Sequence, residues 1–196
     1  MKKLMVVFTS LGFVACSGGG GGSGGGGGST APNTQAQFID APVKGLAYTG
    51  SLSGAGKTGG NGMFSCVRGE FVKFSLKGFD LGYAACGEKI FVADLHSHDA
   101  GYTWQKAASV IQSFSTTSGS DLDLSAAEVS SLSLSGLAYS DGSFESTVSG
   151  KVSSVPGAAA VSISDAEDNA NDDMAASITL DPTLEALLSS LEGQDI

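Results

Sequence analysis

Between Ser17 and Thr30 the chain carries two unbroken runs of glycine, 18–22 and 24–28, separated only by Ser23. Glycine has no side chain to bury and the widest backbone freedom of any residue, so this stretch cannot contribute to a core. It reads as a flexible tether with a root-mean-square span of about 20 Å. Whatever folds must lie beyond it, and the roughly 160 residues that remain suit one ordinary domain or two very small ones. The whole sequence is 41% hydrophobic with ten Phe and one Trp, enough for a core even after Phe8 and Phe13 are set aside. Its high Gly and Ser content favours strands and turns over long helices.

Ahead of the tether, Lys2 and Lys3 precede an apolar run from Leu4 to Val14 broken only by Thr9, Ser10 and Gly12. A charged tip followed by a short apolar run is the pattern of a signal peptide over residues 1–15. The run is too short to span a bilayer, which takes roughly 20 apolar residues for about 30 Å of hydrocarbon. Phe13-Val14-Ala15-Cys16 then resembles the lipobox of bacterial lipoproteins, with Phe13 standing where leucine is most common. The resemblance implies diacylglycerol on the Cys16 thiol, cleavage before Cys16, and acylation of the new amino group. Several acyl chains at about 0.8 kcal/mol per buried methylene make a stable anchor. Ser17 after the cysteine implies the outer membrane of a Gram-negative bacterium. On this reading residues 16–37 are the lipidated cysteine and its tether, and the membrane is one partner.

With Cys16 assigned to lipid, Cys66 and Cys86 are left as an even pair. Export places them where disulfides persist, so a bridge is expected, the alternative being two buried free thiols. Neither C-x-x-C spacing nor further cysteines supports a redox or zinc role. The net charge of −10 comes from ten basic and twenty acidic residues, and after residue 120 fourteen acids face a single base, Lys151. Such a field repels phosphate backbones and anionic headgroups, which excludes nucleic acid as a partner.

Residues 38–95 alternate as short strands do. Phe38 to Tyr48 reads as a strand broken at Pro42 with a bend at Gly45, and Met63–Cys66, Phe71–Leu76, Leu81–Ala84 and Ile90–Val92 follow, separated by turns. The runs D-A-P-V-K-G-L-A-Y at 40–48, G-N-G-M-F at 60–64 and G-E-F-V-K-F-S-L-K-G-F-D-L-G at 69–82 resemble a module of exported Gram-negative proteins. That module is similar in turn to the Cna-B and carboxypeptidase-regulatory β-sandwiches. The turn at Thr58–Gly62 lacks the aspartate usual in that family. The resemblance implies a structural scaffold and brings no catalytic residues with it.

Residues 96–196 read as a helical and β-hairpin extension packing on that module. Trp104, Ala107, Ala108, Ile111 and Phe114 share one helical face, and Trp104 is expected in the core. Ser125-Ala126-Ala127-Glu128 reads as a capping box opening a helix toward Leu132. Phe144–Val152 is expected as a strand paired with Ala158–Ile163, Asp165–Asp173 as a polar loop and Met174–Leu180 as another strand. Asp181-Pro182 opens a terminal helix with the stripe Leu184, Leu187, Leu188 and Leu191.

Three motifs bear on chemistry. Gly54-Ala55-Gly56-Lys57-Thr58 ends like a phosphate-binding loop, but the leading glycine is displaced and glycines follow where a helix is required, so nucleotide binding is excluded. His96 and His98, the only histidines, would share a face on a strand and with Asp99 suggest zinc or copper, although a solvated loop is the simpler expectation. Asp165, Glu167, Asp168, Asp172 and Asp173 are hard oxygen donors of the kind calcium takes. Ala170 and Ala176 occupy the sixth and twelfth places of an EF-hand counted from Asp165, so only an irregular, weak calcium site is compatible. No catalytic nucleophile motif is present. The sequence therefore predicts an α+β domain, a small antiparallel Cna-B-like β-sandwich with short packing helices. It predicts a non-enzymatic envelope lipoprotein of structural, adhesive or protein-binding role without a cofactor. The alternative is a metal-binding factor or enzyme using the His96/His98 region or the acidic stretch.

Overall fold

The computed structural model describes residues 33–119 and 121–177. The signal segment, Cys16, the glycine runs and the helix expected from Asp181 lie outside the described residues. The fold is α+β, with three sheets and four α-helices among the described residues.

Strand β1 (Asn33–Ile39) sits between β5 (Met63–Val67) and β8 (Lys89–Phe91), antiparallel to the first and parallel to the second. The strand begins at Asn33, inside the expected tether, because Ala36 and Phe38 alternate with polar neighbours and are fully buried. A four-stranded antiparallel sheet follows the order β4 (Gly54–Lys57), β3 (Ala47–Gly50), β6 (Phe71–Leu76), β7 (Phe79–Ala85). Rings from the two sheets meet: Phe38 lies 4.6 Å from Phe74, and Phe64 lies 4.9 Å from Tyr48. The third sheet is a short parallel pair, β2 (Val43–Lys44) with β9 (Leu122–Asp123). Parallel pairing in two of the three sheets departs from the all-antiparallel expectation; both pairs join segments distant in sequence, which no local alternation can reveal.

Cys66 and Cys86 form a disulfide with Cα atoms 6.1 Å apart, joining β5 to the end of β7. Beside it Glu70, buried in the Arg68–Glu70 turn, accepts from the N–H groups of Val67, Leu52 and Ser53. Burial pushes its carboxyl up, and the hydrogen bonds from Ser53, Val67 and Leu52 more than reverse this, holding it at about 2. Gly62 has φ +67°, and a Cβ there would stand 2.3 Å from the Phe38 carbonyl, so only glycine fits between β1 and β5.

Helix α1 (Trp104–Ser113) presents the expected stripe to the core, with Ala107, Ala108 and Ile111 buried, Phe114 buried just beyond its end and Trp104 packed at the margin. Thr103 caps it by accepting from the Lys106 N–H. Helix α2 (Ser125–Val129) is shorter than expected and lacks the capping box. Asp123 accepts from the Ser125 N–H instead, and Glu128 pairs with Lys57.

Three expectations beyond residue 140 are overturned. Phe144–Val152 is a helix, α3, and not a strand: its buried residues Phe144, Val148 and Val152 recur every fourth position, one helical face. Its expected partner is not a strand: residues 158–162 have no regular structure and are fastened by Ser113, whose hydroxyl accepts from the Val161 N–H (2.9 Å), and Ile163 already opens the next helix. Asp165–Asp173 is not a loop but the body of α4 (Ile163–Ser177), in which Ala166 and Ala170 form a small buried face against α1. Met174 to Ser177 continue this helix, so no strand starts at Met174.

Candidate functional site

The polar network between β1, α1 and α4 begins at Asp40. It follows the last residue of β1, and Asp40 and Ala41 make a tight reversal that brings Ile39 opposite Pro42. Ala41 has φ +48°, a left-handed conformation that a non-glycine residue adopts at some cost. The turn carries Asp40 into the interior, where it is 1% exposed. Gln112, near the end of α1, donates through Nε2 to Asp40 Oδ1 (2.9 Å) and to the Ala166 carbonyl (3.1 Å). Two acceptors around that nitrogen fix the amide orientation, and Gln112 Oε1 then receives Asn169 Nδ2 at 2.9 Å. The chain Asn169–Gln112–Asp40 ties α4 to α1 and to the end of β1.

Asp40 Oδ2 is buried and has no hydrogen-bond partner among the described residues. Asp40 is one of the residues around a cavity of about 320 Å³, to which Gln112, Thr117, Asn169, Asp172 and Asp173 also contribute. Burial pushes the Asp40 carboxyl up to about 8; the Gln112 hydrogen bond pulls against this and the charge of Asp173 adds to it. Asp173 is itself raised, by burial first, with the Ala41 N–H opposing and Asp172 reinforcing. Among the described residues no Lys, Arg or His lines the cavity.

The acidic residues singled out in the sequence are divided by the helix. Asp172 and Asp173 reach this cavity, whereas Asp165 caps locally against Ser162 and Glu167 receives Gln105 Nε2. Asp168 does not line the cavity. His96 and His98 gather elsewhere, at the edge of the four-stranded sheet. His96 exchanges two backbone hydrogen bonds with Tyr83 on β7, and the Tyr83 hydroxyl lies 3.1 Å from His98 Nε2. With Phe71, 61% exposed and edge-on to Tyr83 at 5.8 Å, they form an aromatic surface group. Among the described residues no three His, Cys, Asp or Glu side chains are arranged to hold a metal ion.

The segment resembling a phosphate-binding loop is strand β4, and its Thr58 is buried, donating to the Val43 carbonyl and accepting from the Leu46 N–H. Sequence reasoning passed over Asp40 and Gln112. The available signal was Gln112, a polar residue bordering the apolar stripe of α1. No protein-family model matches the chain, and no curated protein or solved structure matches it.

Proposed function

We propose that the chain is an exported lipoprotein, held at the cell envelope by lipid on Cys16, whose folded domain acts by binding and not by catalysis. The observation that carries this reading is the Cys66–Cys86 bridge. It accounts for the other two of the three cysteines, and it suits an oxidising compartment beyond the cytoplasm. The lipobox-like Phe13–Cys16 and the glycine runs supply the anchor and the tether, with the outer membrane of a Gram-negative bacterium as the destination. In this reading the three- and four-stranded sheets, joined by the rings of Phe38, Phe64 and Phe74, are a variant of the Cna-B-like sandwich. A structural, adhesive or protein-binding role is supported by the exposed aromatic group at Phe71 and Tyr83, since aromatic side chains are enriched at recognition surfaces.

The test is Cys16→Ala in the native host with a palmitate analogue as label. Loss of label and release from the membrane fraction are expected; unchanged labelling and fractionation would refute the anchor.

A further inference from the structure

We propose that strand β4 is the contact of a twofold dimer, pairing antiparallel with β4 of a second copy so that the two four-stranded sheets run on as one. This does not depend on how the chain is anchored. A strand at the border of a sheet leaves N–H and C=O groups unpaired, and folded chains commonly block such borders against pairing. The other borders of the two larger sheets are blocked. Tyr83 on β7 exchanges two backbone hydrogen bonds with His96. On β5 the Met63 carbonyl accepts from Gly59, and both backbone groups of Val67 are bonded to Glu70. On β8 the Phe91 N–H is taken by the Asp94 carboxylate.

Strand β4 carries no such device. Among the described residues it pairs with β3 alone, and Gly54, Ala55 and Lys57 are exposed. The ladder shows which of its groups face outward. Thr58 donates through its N–H to the Leu46 carbonyl, and on the other side of β3 the Ser51 N–H donates to the Phe71 carbonyl. Bonded positions alternate in an antiparallel ladder, so Gly54, Gly56 and Thr58 turn their backbone groups to β3, while those of Ala55 and Lys57 point away from it. Gly56 has no room for a side chain, since a Cβ there would lie 2.7 Å from the Tyr48 hydroxyl, and with Gly54 and Ala55 it leaves the border without bulk.

Symmetry selects a second copy as the occupant. With Gly56 on the twofold axis, Ala55 lies opposite the partner's Lys57 and Lys57 opposite the partner's Ala55, each pair exchanging both of its hydrogen bonds. Two exposed apolar side chains flank the strand at opposite ends. Leu52, 73% exposed, is in the turn leading into Gly54, and Val129, 88% exposed, follows Glu128, whose carboxylate pairs with Lys57. Antiparallel pairing brings the Leu52 end of one copy to the Val129 end of the other, so the two ends complement each other as an isologous contact requires. Charge permits the meeting: the chain is acidic overall, but residues 33–119 hold seven basic and six acidic side chains, and Lys57 is neutralised by Glu128. A contact of one four-residue strand and its flanking side chains is smaller than the roughly 800 Å² per partner of a stable dimer, so association is weak, with a Kd on the order of 100 μM.

The experiment uses the full chain carrying Cys16→Ala. Sedimentation velocity from about 10 μM to about 1 mM, either side of that Kd, is combined with amide hydrogen exchange read by NMR. A monomer–dimer equilibrium is expected, in which the Ala55 and Lys57 amides gain protection as concentration rises while that of Gly56, already bonded to β3, does not change. Ala55→Pro removes an outward N–H and leaves the β3–β4 bonds in place; symmetry doubles the loss, and the Kd is expected to rise tenfold or more. Leu52→Lys leaves the whole backbone ladder untouched and is expected to weaken association likewise, so the proposal stays testable if the proline variant fails to fold. A chain that remains monomeric throughout, a dimer in which the Ala55 and Lys57 amides exchange as fast as in the monomer, or an affinity unchanged by both substitutions would overturn the proposal. So would a monomer in which those two amides are protected at every concentration, because the chain would then cover β4 itself.

Discussion

Replacing Asp40 by Asn exchanges one carboxyl oxygen for an amide nitrogen and abolishes a titration in the interior. In the folded chain burial holds the Asp40 carboxyl near 8, against 3.8 for the ordinary side chain. Between those values the native state keeps a proton that the unfolded chain has released. The stability this group contributes is therefore complete below about 3.8 and is lost as pH rises toward about 8. Each pH unit in the window is worth about 1.4 kcal/mol, so the full excursion is on the order of 6 kcal/mol. From about pH 5 to pH 8 the loss is roughly 4 kcal/mol, or about 2 M in urea midpoint for a slope near 2 kcal/mol per molar.

The amide introduced by Asp40→Asn would keep the acceptor that Gln112 Nε2 uses and would carry no charge at any pH. The measurement is urea unfolding of both chains at several pH values in that window, followed by circular dichroism. The stability difference between them should change by about 1.4 kcal/mol per pH unit, the substituted chain gaining as pH rises. Glu70 and Asp123, whose carboxyls are held at about 2, act with the opposite sign and only below their ordinary values near 4, outside this window. Asp173 titrates in both chains and cancels to first order in the difference. A difference that stays constant from pH 5 to pH 8 would refute the assignment of a buried, neutral Asp40.

Other positions test other parts of the fold. Changing Cys66 and Cys86 together to Ala opens a loop of 20 residues and should cost about 3 kcal/mol, measured as a urea midpoint shift that reducing agent reproduces in the unaltered chain. Glu70→Ala strips the acceptor from three N–H groups and should lower stability by about 2 kcal/mol or more near pH 7; relative to the native chain the deficit shrinks as pH falls from about 4 toward about 2, where the unfolded chain takes up a proton that the folded Glu70 does not. Phe144→Ala, in the buried stripe of α3, should cost roughly 3–5 kcal/mol, whereas Val129→Ser, at a position 88% exposed, should stay within about 0.5 kcal/mol on thermal unfolding.

What could be read from the chain divides by the range over which the cause acts. Strands β5, β6 and β7 and helix α1 carry their own periodicity, and their buried faces are those the alternation and the helical stripe mark. In α3 and α4 the period was present but weak. Phe144, Val148 and Val152 sit four apart among small polar residues that also fit a strand, and α4 buries only Ala166 and Ala170 while carrying acids along the rest of its length. A face built of alanine gives little hydrophobic contrast, and its use is geometric: small residues let α4 approach α1 closely enough for Asn169 to reach Gln112.

The cavity was harder to foresee because each of its residues has a plain local explanation. Asp40 before Ala41-Pro42 looks like a turn residue, and it is one; the turn also directs the carboxyl inward. Asp172 and Asp173 look like the solvated face of an acidic segment. Only the packing of α4 against α1 and β1, joining positions 72 residues apart between Asp40 and Gln112 and 57 between Gln112 and Asn169, turns these acids toward a common space. A carboxylate exposed on a turn costs nothing, whereas the same group buried costs several kcal/mol unless it is neutralised or paired. At Asp40 one oxygen accepts from Gln112 and the other has no partner among the described residues. Asp40 is neutralised: burial holds its carboxyl near 8, so it keeps its proton through most of the range in which an exposed carboxyl is charged, while Oδ1 accepts from Gln112.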